Sequence, residues 1–496
     1  MCRYILFTLL TIVTFSVSFS QSDHVAIKWN EQVLEAIRND YARPTVHARN
    51  LMHSSAIMYD CWAAYDTTSS EQYFLGNTIG NFTCVFDFEN FEPNIPSNSI
   101  DKILAQEVSM SYGVYRLIKH RYMSSPQWSS TLLNINAQMA SQGLDTLIVS
   151  TDYLNEGPAA LGNYLAEQII AFGMQDGANE AGDYASLCYT SVNPNILPEE
   201  PGTNGIVDPN RWQAIELSVS IDQSGEVITE VPPFLGPEWG EVQGFALRDS
   251  NLTNVVVDSC TFKTYYNPGP PVYLDTNVAS SFDESLYKWG FGMVIKWSEH
   301  LDPYDGVMWD ISPGSLKYNG ETPPVEEFAN FYDWERGGLV SWYNEDGSFG
   351  GNGHEVNPFT GQPYEPNIVP RGDYGRVIAE FWADGPDSET PPGHWFTLLN
   401  EFILIPQSGE HRWRGQGPII EDQEFAVKSS LALAGAMHDC AIAAWSNKGL
   451  YDYIRPVSAI RYMAEKGQST DMTLPNYHPA GLPLGPGFIE VVDDDH

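Results

Sequence analysis

The chain has 496 residues, and 64 acidic against 25 basic side chains give it a formal net charge of −39. A field of that sign repels phosphate backbones and anionic lipid, which argues against nucleic acid and membrane surfaces as partners. It suits a protein kept dissolved in salty surroundings, or one that gathers cations such as calcium at its surface.

Residues 1–20 read as a secretory signal. Arg3 gives a positive start, Ile5 to Phe15 an apolar core, and Ser18-Phe19-Ser20 a small-x-small cleavage site. No second long apolar run follows, so the expectation is a soluble mature protein, secreted or periplasmic, without membrane contact after processing. Apolar residues then recur at helical spacing over 26–37, 46–65, 100–118, 128–142 and 153–172. In the second of these, His47, Leu51, Ser54, Met58, Cys61 and Trp62 share a face. Ser150, Thr151 and Asp152 are N-cap candidates for the last. Residues 177–271 are rich in Pro, Gly, Asn and Asp and read as ordered loop, with a strand-like piece from Val227 to Val231. Helix returns over 281–298, loop over 301–370, and helix over 373–383 and from Trp395.

Residues 423–446 predict a long helix with many small residues, which permit close packing. Asn447-Lys448-Gly449 reads as its end, because a glycine past the last turn supplies a left-handed cap and a cation suits the C-terminal dipole. Arg455 precedes a proline and is pushed out of helical backbone space, while Pro456 suits the first position of a new helix through Ile460 to Ala464. Lys448 and Arg455 therefore flank a short loop beside a helix N-terminus, where an anion is favoured. Arg adds a planar fork and Lys a compact charge. The fold class is mainly α, one large helical domain with long Pro/Gly-rich loops and no linker or internal repeat.

Five cysteines remain after the signal: Cys61, Cys84, Cys188, Cys260 and Cys440. None has metal-ligand spacing, so no metal site is assigned. One or two disulfides fit an oxidising compartment. Cys61 and Cys440 lie in apolar helices and read as buried thiols.

The run Trp445-x-x-Lys448-x6-Arg455-Pro456 resembles the first of three oxyanion-binding motifs in the vanadium-dependent haloperoxidase and type 2 phosphatidic acid phosphatase superfamily. Upstream, the run from His47-Ala48-Arg49-Asn50 through Tyr59-Asp60 and Ala63 to Asp66, Asp208-Pro209-Asn210-Arg211-Trp212, Gly236 to Val242 and Phe381 to Trp395 are similar to segments of secreted bacterial haloperoxidase-like proteins. The resemblance implies a helical bundle of that superfamily, with residues 21–422 forming an N-terminal helical and loop-rich region and 423–496 the start of the core. The family's second and third motifs, P-S-G-H and S-R-x5-H, do not follow Pro456, so the expectation is a chain lacking its C-terminal helices. By resemblance, Lys448 and Arg455 hold vanadate or phosphate, and Trp445 is either a pocket wall or a core residue. The implied activity is oxidation of halide by hydrogen peroxide at bound vanadate. Phosphomonoester hydrolysis is the alternative within the superfamily. A non-catalytic helical remnant, or half of a split enzyme, is the alternative of another class. A homodimer and a complementing C-terminal chain are the protein partners left open.

Pro392-Gly393-His394 imitates P-S-G-H but has proline in place of the serine and precedes the Lys/Arg motif; it reads as a turn capping the helix from Trp395. His478 reads as a loop residue. His438 and Asp439 interrupt an apolar helix and need partners, and Asp439 is a candidate to brace the site's Lys or Arg. The acidic groups Asp384, Asp387 and Glu389, and the tail Asp493 to Asp495, are candidate surface calcium ligands, although neither has a regular calcium-loop spacing.

Overall fold

The computed structural model describes residues 24–492 apart from 67–70, 230, 258, 283, 316–331, 334–337, 343, 347–352, 384 and 405–410. The signal segment, Asp384 and the tail 493–495 lie outside the described residues. Helices dominate: α1 (Val25–Arg38), α2 (Pro44–Ala63), α3 (Phe88–Phe91), α4 (Ser99–Arg121), α5 (Trp128–Ser141), α6 (Gly157–Gly173), α7 (Leu286–Glu299), α8 (Arg371–Phe381), α9 (Thr390–Leu404), α10 (Asp422–Tyr451) and α11 (Pro456–Lys466). The strands form antiparallel two-stranded pairs: β1 (Thr78–Ile79) with β2 (Phe82–Thr83), β3 (Ser220–Ile221) with β4 (Val227–Ile228), β5 (Leu252–Val257) with β6 (Cys260–Tyr265), and β7 (Met308–Asp310) with β8 (Ile368–Pro370). No described helix is long and apolar enough to cross a membrane.

The main core is built from Leu34 and Ile37 of α1, Leu51 and Ile57 of α2, Met110 and Val114 of α4, Leu161 and Leu165 of α6, and Phe396 of α9. Each such side chain contributes about 1.5–3 kcal/mol on burial. Helix α2 lies at the centre, packed against α1, α4, α6, α9 and α10. It has little solvent face to spare, so most of its polar residues are buried, and its charged and histidine side chains find partners. Asp60 accepts the N–H groups of Tyr73, Phe74 and Leu75 at 2.6, 2.7 and 2.8 Å. His47 lies 3.1 Å from Asp40 and 3.0 Å from Thr390. Arg49 is bound to Asp176 at 2.6 Å and Glu180 at 2.7 Å.

Helix α10 reaches out of this core. Ala426, Val427, Leu431 and Ala434 pack within it, whereas Ile442 and Trp445 pack with Trp239, Val242 and Tyr265. The small-residue run lets this helix sit close to its neighbours, as its composition predicts.

Several expectations are corrected. Helix α10 continues to Tyr451 rather than ending at Lys448. Gly449 is helical, and its missing side chain serves close packing, not a cap: a Cβ there would lie 1.8 Å from the Pro237 carbonyl oxygen. The left-handed cap is Asp452, at φ 42° and ψ 49°. Helix α6 begins at Gly157, so Ser150, Thr151 and Asp152 do not cap it. Gly157 at φ +77°, followed by Pro158, sets its start. Helix α9 begins at Thr390, because Pro391 and Pro392 are tolerated in a first turn where N–H groups lack helical partners. His394 is therefore inside a helix, not in a turn capping one. Within the loop-rich span 177–271, β5 and β6 form a regular hairpin. Cys188 and Cys260 are disulfide-bonded. Cys61 is buried as expected, but Cys440 is exposed.

Candidate functional site

The stretch from α10 to α11 is a tight connection. Asp452 terminates α10 in the left-handed region, and Arg455, at φ −80° and ψ 150°, is extended as the following proline demands. Pro456 then opens α11. This brings Lys448 and Arg455 to one surface on adjoining aromatic rings. The Lys448 ammonium lies 5.5 Å from the centroid of Phe234 and 4.9 Å from that of Trp445. The Arg455 guanidinium lies 5.6 Å from the centroid of Trp212. Trp212 and Phe234 meet edge to face at 5.1 Å, so the two cations stand on one aromatic platform.

Both side chains are exposed toward solvent, and among the described residues neither forms a hydrogen bond or ion pair. In a chain of −39, unneutralised neighbouring cations are a distinctive arrangement. Partial burial among the rings lowers the Lys448 pKa from its ordinary value, and the Arg455 charge lowers it further. Partial burial likewise lowers that of Arg455. Each shift follows from fewer water molecules around a charge and, for Lys448, a like-charged neighbour. A bound anion relieves both. The Ser458 hydroxyl in the first turn of α11 is buried without a hydrogen-bond partner among the described residues.

The loop is clamped from outside. Asp452, buried, receives the Arg211 Nε–H at 2.9 Å and the Tyr189 hydroxyl at 2.8 Å, and its carbonyl accepts the Trp212 N–H at 2.8 Å. Burial raises the Asp452 pKa despite these bonds, while its charge raises that of Arg211. The segment Asp208 to Trp212 thus wraps the loop and supplies Trp212 to the platform. The segment Gly236 to Val242 lies on the other flank, with Pro237 against Gly449 and Gly236 against Trp445. The Glu238 carboxylate accepts the N–H groups of Cys188 and Tyr189 at 3.0 and 2.8 Å. The third segment, Phe381 to Trp395, instead packs toward α1 and α2: Glu389 pairs with Arg38 at 3.4 Å, and Thr390 meets His47.

Trp445 is half-buried and belongs to the cluster around Trp239 and Ile442 while also lying beneath Lys448. Asp439 does not brace Lys448 or Arg455. Its carboxylate accepts the N–H groups of Phe245 and Ala246 at 2.7 and 2.8 Å, because the upstream loop lies against that face of α10. His438 is buried with Nε2 3.0 Å from the Gln243 carbonyl and Nδ1 without a partner among the described residues, and burial lowers its pKa. His394 bonds Glu389 at 3.3 Å and packs on Phe381 and Trp382. The loop residue His478 accepts the Ala480 N–H at 3.0 Å. No histidine hydrogen-bonds to Lys448 or Arg455 among the described residues.

Asp452, Arg211, Tyr189 and Phe234 were not legible as site residues. Arg211 and Trp212 did fall within a recognised segment, but nothing local places it against residue 452.

Residues 428–479, spanning most of α10, the Lys/Arg loop and all of α11, match the family model for the VCPO second helical-bundle domain. The likeness to that domain is confined to this segment of the chain. Solved structures that the chain is similar to include a bacterial vanadium-dependent chloroperoxidase in holo form, 14% identical at a TM-score of 0.45, covering 89% of this chain and 70% of that one. Its apo form is 13% identical at 0.43, covering 86% and 67%. The first bacterial vanadium-dependent iodoperoxidase is 14% identical at 0.44, covering 87% and 70%. No curated protein matches the chain. The matched segment is the one that carries Lys448 and Arg455.

Proposed function

We propose that Lys448 and Arg455 are two of the oxyanion ligands of a vanadium haloperoxidase-like site, with Trp445 as part of its wall. The observation that carries this is the pair of cations without carboxylate partners on the Trp212/Phe234 platform, inside the matched segment. The residues fit a tetrahedral oxyanion: Lys448 offers a point charge, Arg455 a fork of parallel N–H donors, and α11 begins alongside. When bound, vanadate supplies the activation of hydrogen peroxide for halide oxidation. Lys448 and Arg455 would neutralise charge on the anion's oxygens, an effect strengthened by the low-dielectric rings beneath them. Asp452, Arg211 and Tyr189 would hold the loop in register. Residues 1–20 would direct export, consistent with the Cys188–Cys260 disulfide.

The test is orthovanadate binding measured by calorimetry and by vanadium NMR. Lys448→Ala and Arg455→Ala should each weaken binding by about fivefold, a modest factor because both groups are exposed. Arg455→Lys should restore only part of the loss, since the charge stays and the fork goes. Arg455→Ala binding as tightly as the parent would show the motif to be a helix junction only. Bromide oxidation should require a complementing segment carrying P-S-G-H and S-R-x5-H, because the covalent anchor and proton acceptor are not supplied by the Lys/Arg loop. Turnover of a phosphomonoester by that complemented protein, without bromide oxidation, would favour the phosphatase branch.

A further inference from the structure

We propose that the Cys188–Cys260 disulfide is a redox lock on the Lys448/Arg455 anion site, acting through Tyr189; the proposal rests on the oxyanion reading above. The bond joins an exposed loop to β6 across 72 residues. Cys188 is exposed and Cys260 buried, so a reductant reaches the sulfurs from one side. Cys260 is anchored firmly, packing with Phe262 against Leu450 near the end of α10.

Tyr189, next to Cys188, leads directly into the site. Its hydroxyl donates to Asp452 at 2.8 Å, and its ring lies 4.7 Å from that of Phe234. Asp452 is the left-handed residue that turns the chain from Lys448 toward Arg455, and Phe234 is one of the two rings beneath the Lys448 ammonium. One side chain therefore touches both the turn and the platform. Around it the loop has little else to hold it: Ser186, Leu187, Cys188 and Thr190 are all exposed, and their segment is tied mainly by the Glu238 carboxylate. The disulfide is the strongest restraint on where Tyr189 sits, and an exposed disulfide of this kind is open to thiol exchange.

Reduction by an external dithiol moves two electrons and two protons to the protein. The S–S bond breaks, both sulfurs become thiols, and the dithiol closes to its own disulfide. Tyr189 is then tied to the hairpin no longer, and Asp452 and Phe234 lose a fixed neighbour. Loss of one hydrogen bond to a charged partner corresponds to on the order of tenfold in the equilibrium that positions the loop. Orthovanadate binding should weaken by about that factor.

The experiment titrates orthovanadate into the full chain before and after dithiol treatment, with Cys188→Ser/Cys260→Ser as a permanently open form and Tyr189→Phe as the relay variant. Far-UV circular dichroism accompanies each. The expected result is about tenfold weaker binding on reduction and in the double serine variant, with helical signal retained. Tyr189→Phe should bind weakly while oxidised and respond little to reduction. Equal affinity of oxidised and reduced protein overturns the lock and leaves the anion site standing. Loss of helical signal on reduction also overturns it, since the disulfide would then be a general staple. A Tyr189→Phe protein that binds like the parent removes the relay and the proposal with it. An oxidised parent that binds no orthovanadate removes the anion reading itself, and the lock falls with it.

Discussion

Lys288 on α7 offers the sharpest test of the packing behind α11. It is fully buried, and its ammonium donates to uncharged oxygens only: Pro479 O at 2.8 Å, Ser469 Oγ at 2.9 Å and Ser280 O at 3.3 Å. Burial lowers its pKa from the ordinary 10.5 to about 8, with Glu284 opposing the shift. A folded pKa below the unfolded one means that the unfolded chain binds more protons between those values. Stability therefore rises with pH across that window. From about pH 7 to about pH 9.5, the linkage relation gives a gain of about 2 kcal/mol from this one group. Lys288→Met should abolish the rise while keeping the volume, although the three oxygens lose their donor. The assay is urea unfolding followed by far-UV circular dichroism at several pH values in that range, comparing parent and variant. Buried tyrosines titrate alike in both, so the difference between the two slopes isolates Lys288. A parent whose pH slope equals that of Lys288→Met would refute the reasoning, and would mean that water reaches the ammonium.

Other outcomes follow from contacts already described. Gly449→Ala puts a Cβ 1.8 Å from the Pro237 carbonyl oxygen, so α10 and the 236–242 segment must part; a loss of about 2–3 kcal/mol by urea unfolding is expected, together with weaker orthovanadate binding. Arg49→Met leaves Asp176 buried without its guanidinium, while Glu180 keeps Arg121 and His120; the expected loss is about 3 kcal/mol, read as a lower unfolding midpoint. Asp439→Ala strands the Phe245 and Ala246 N–H groups and should cost about 1–2 kcal/mol. Its orthovanadate affinity should match the parent's, whereas a bracing role for Asp439 would lower it.

The sequence by itself determined what is written in local pattern. Apolar periodicity located α1, α2, α4, α5 and α7 to within a few residues, except for the start of α7, because a helix shows its buried stripe at fixed intervals. The X-Pro step at Arg455-Pro456 set the start of α11, since proline restricts the residue before it wherever the chain goes. The spacing of Lys448 and Arg455 across one helix end and the next helix start was likewise a local property. Tertiary structure decided what local pattern does not encode. Gly449 reads as a helix cap until the Pro237 carbonyl is seen against it, and Asp439 reads as a brace until the 245–246 backbone claims both its oxygens. Cysteine pairing depended on a hairpin meeting a loop 72 residues away. The clamp on the Lys/Arg loop joins Tyr189, Arg211 and Asp452, which share no sequence neighbourhood. Hydrogen bonds and ring contacts between such distant groups depend on where packing leaves each segment, and packing is settled by the whole core at once.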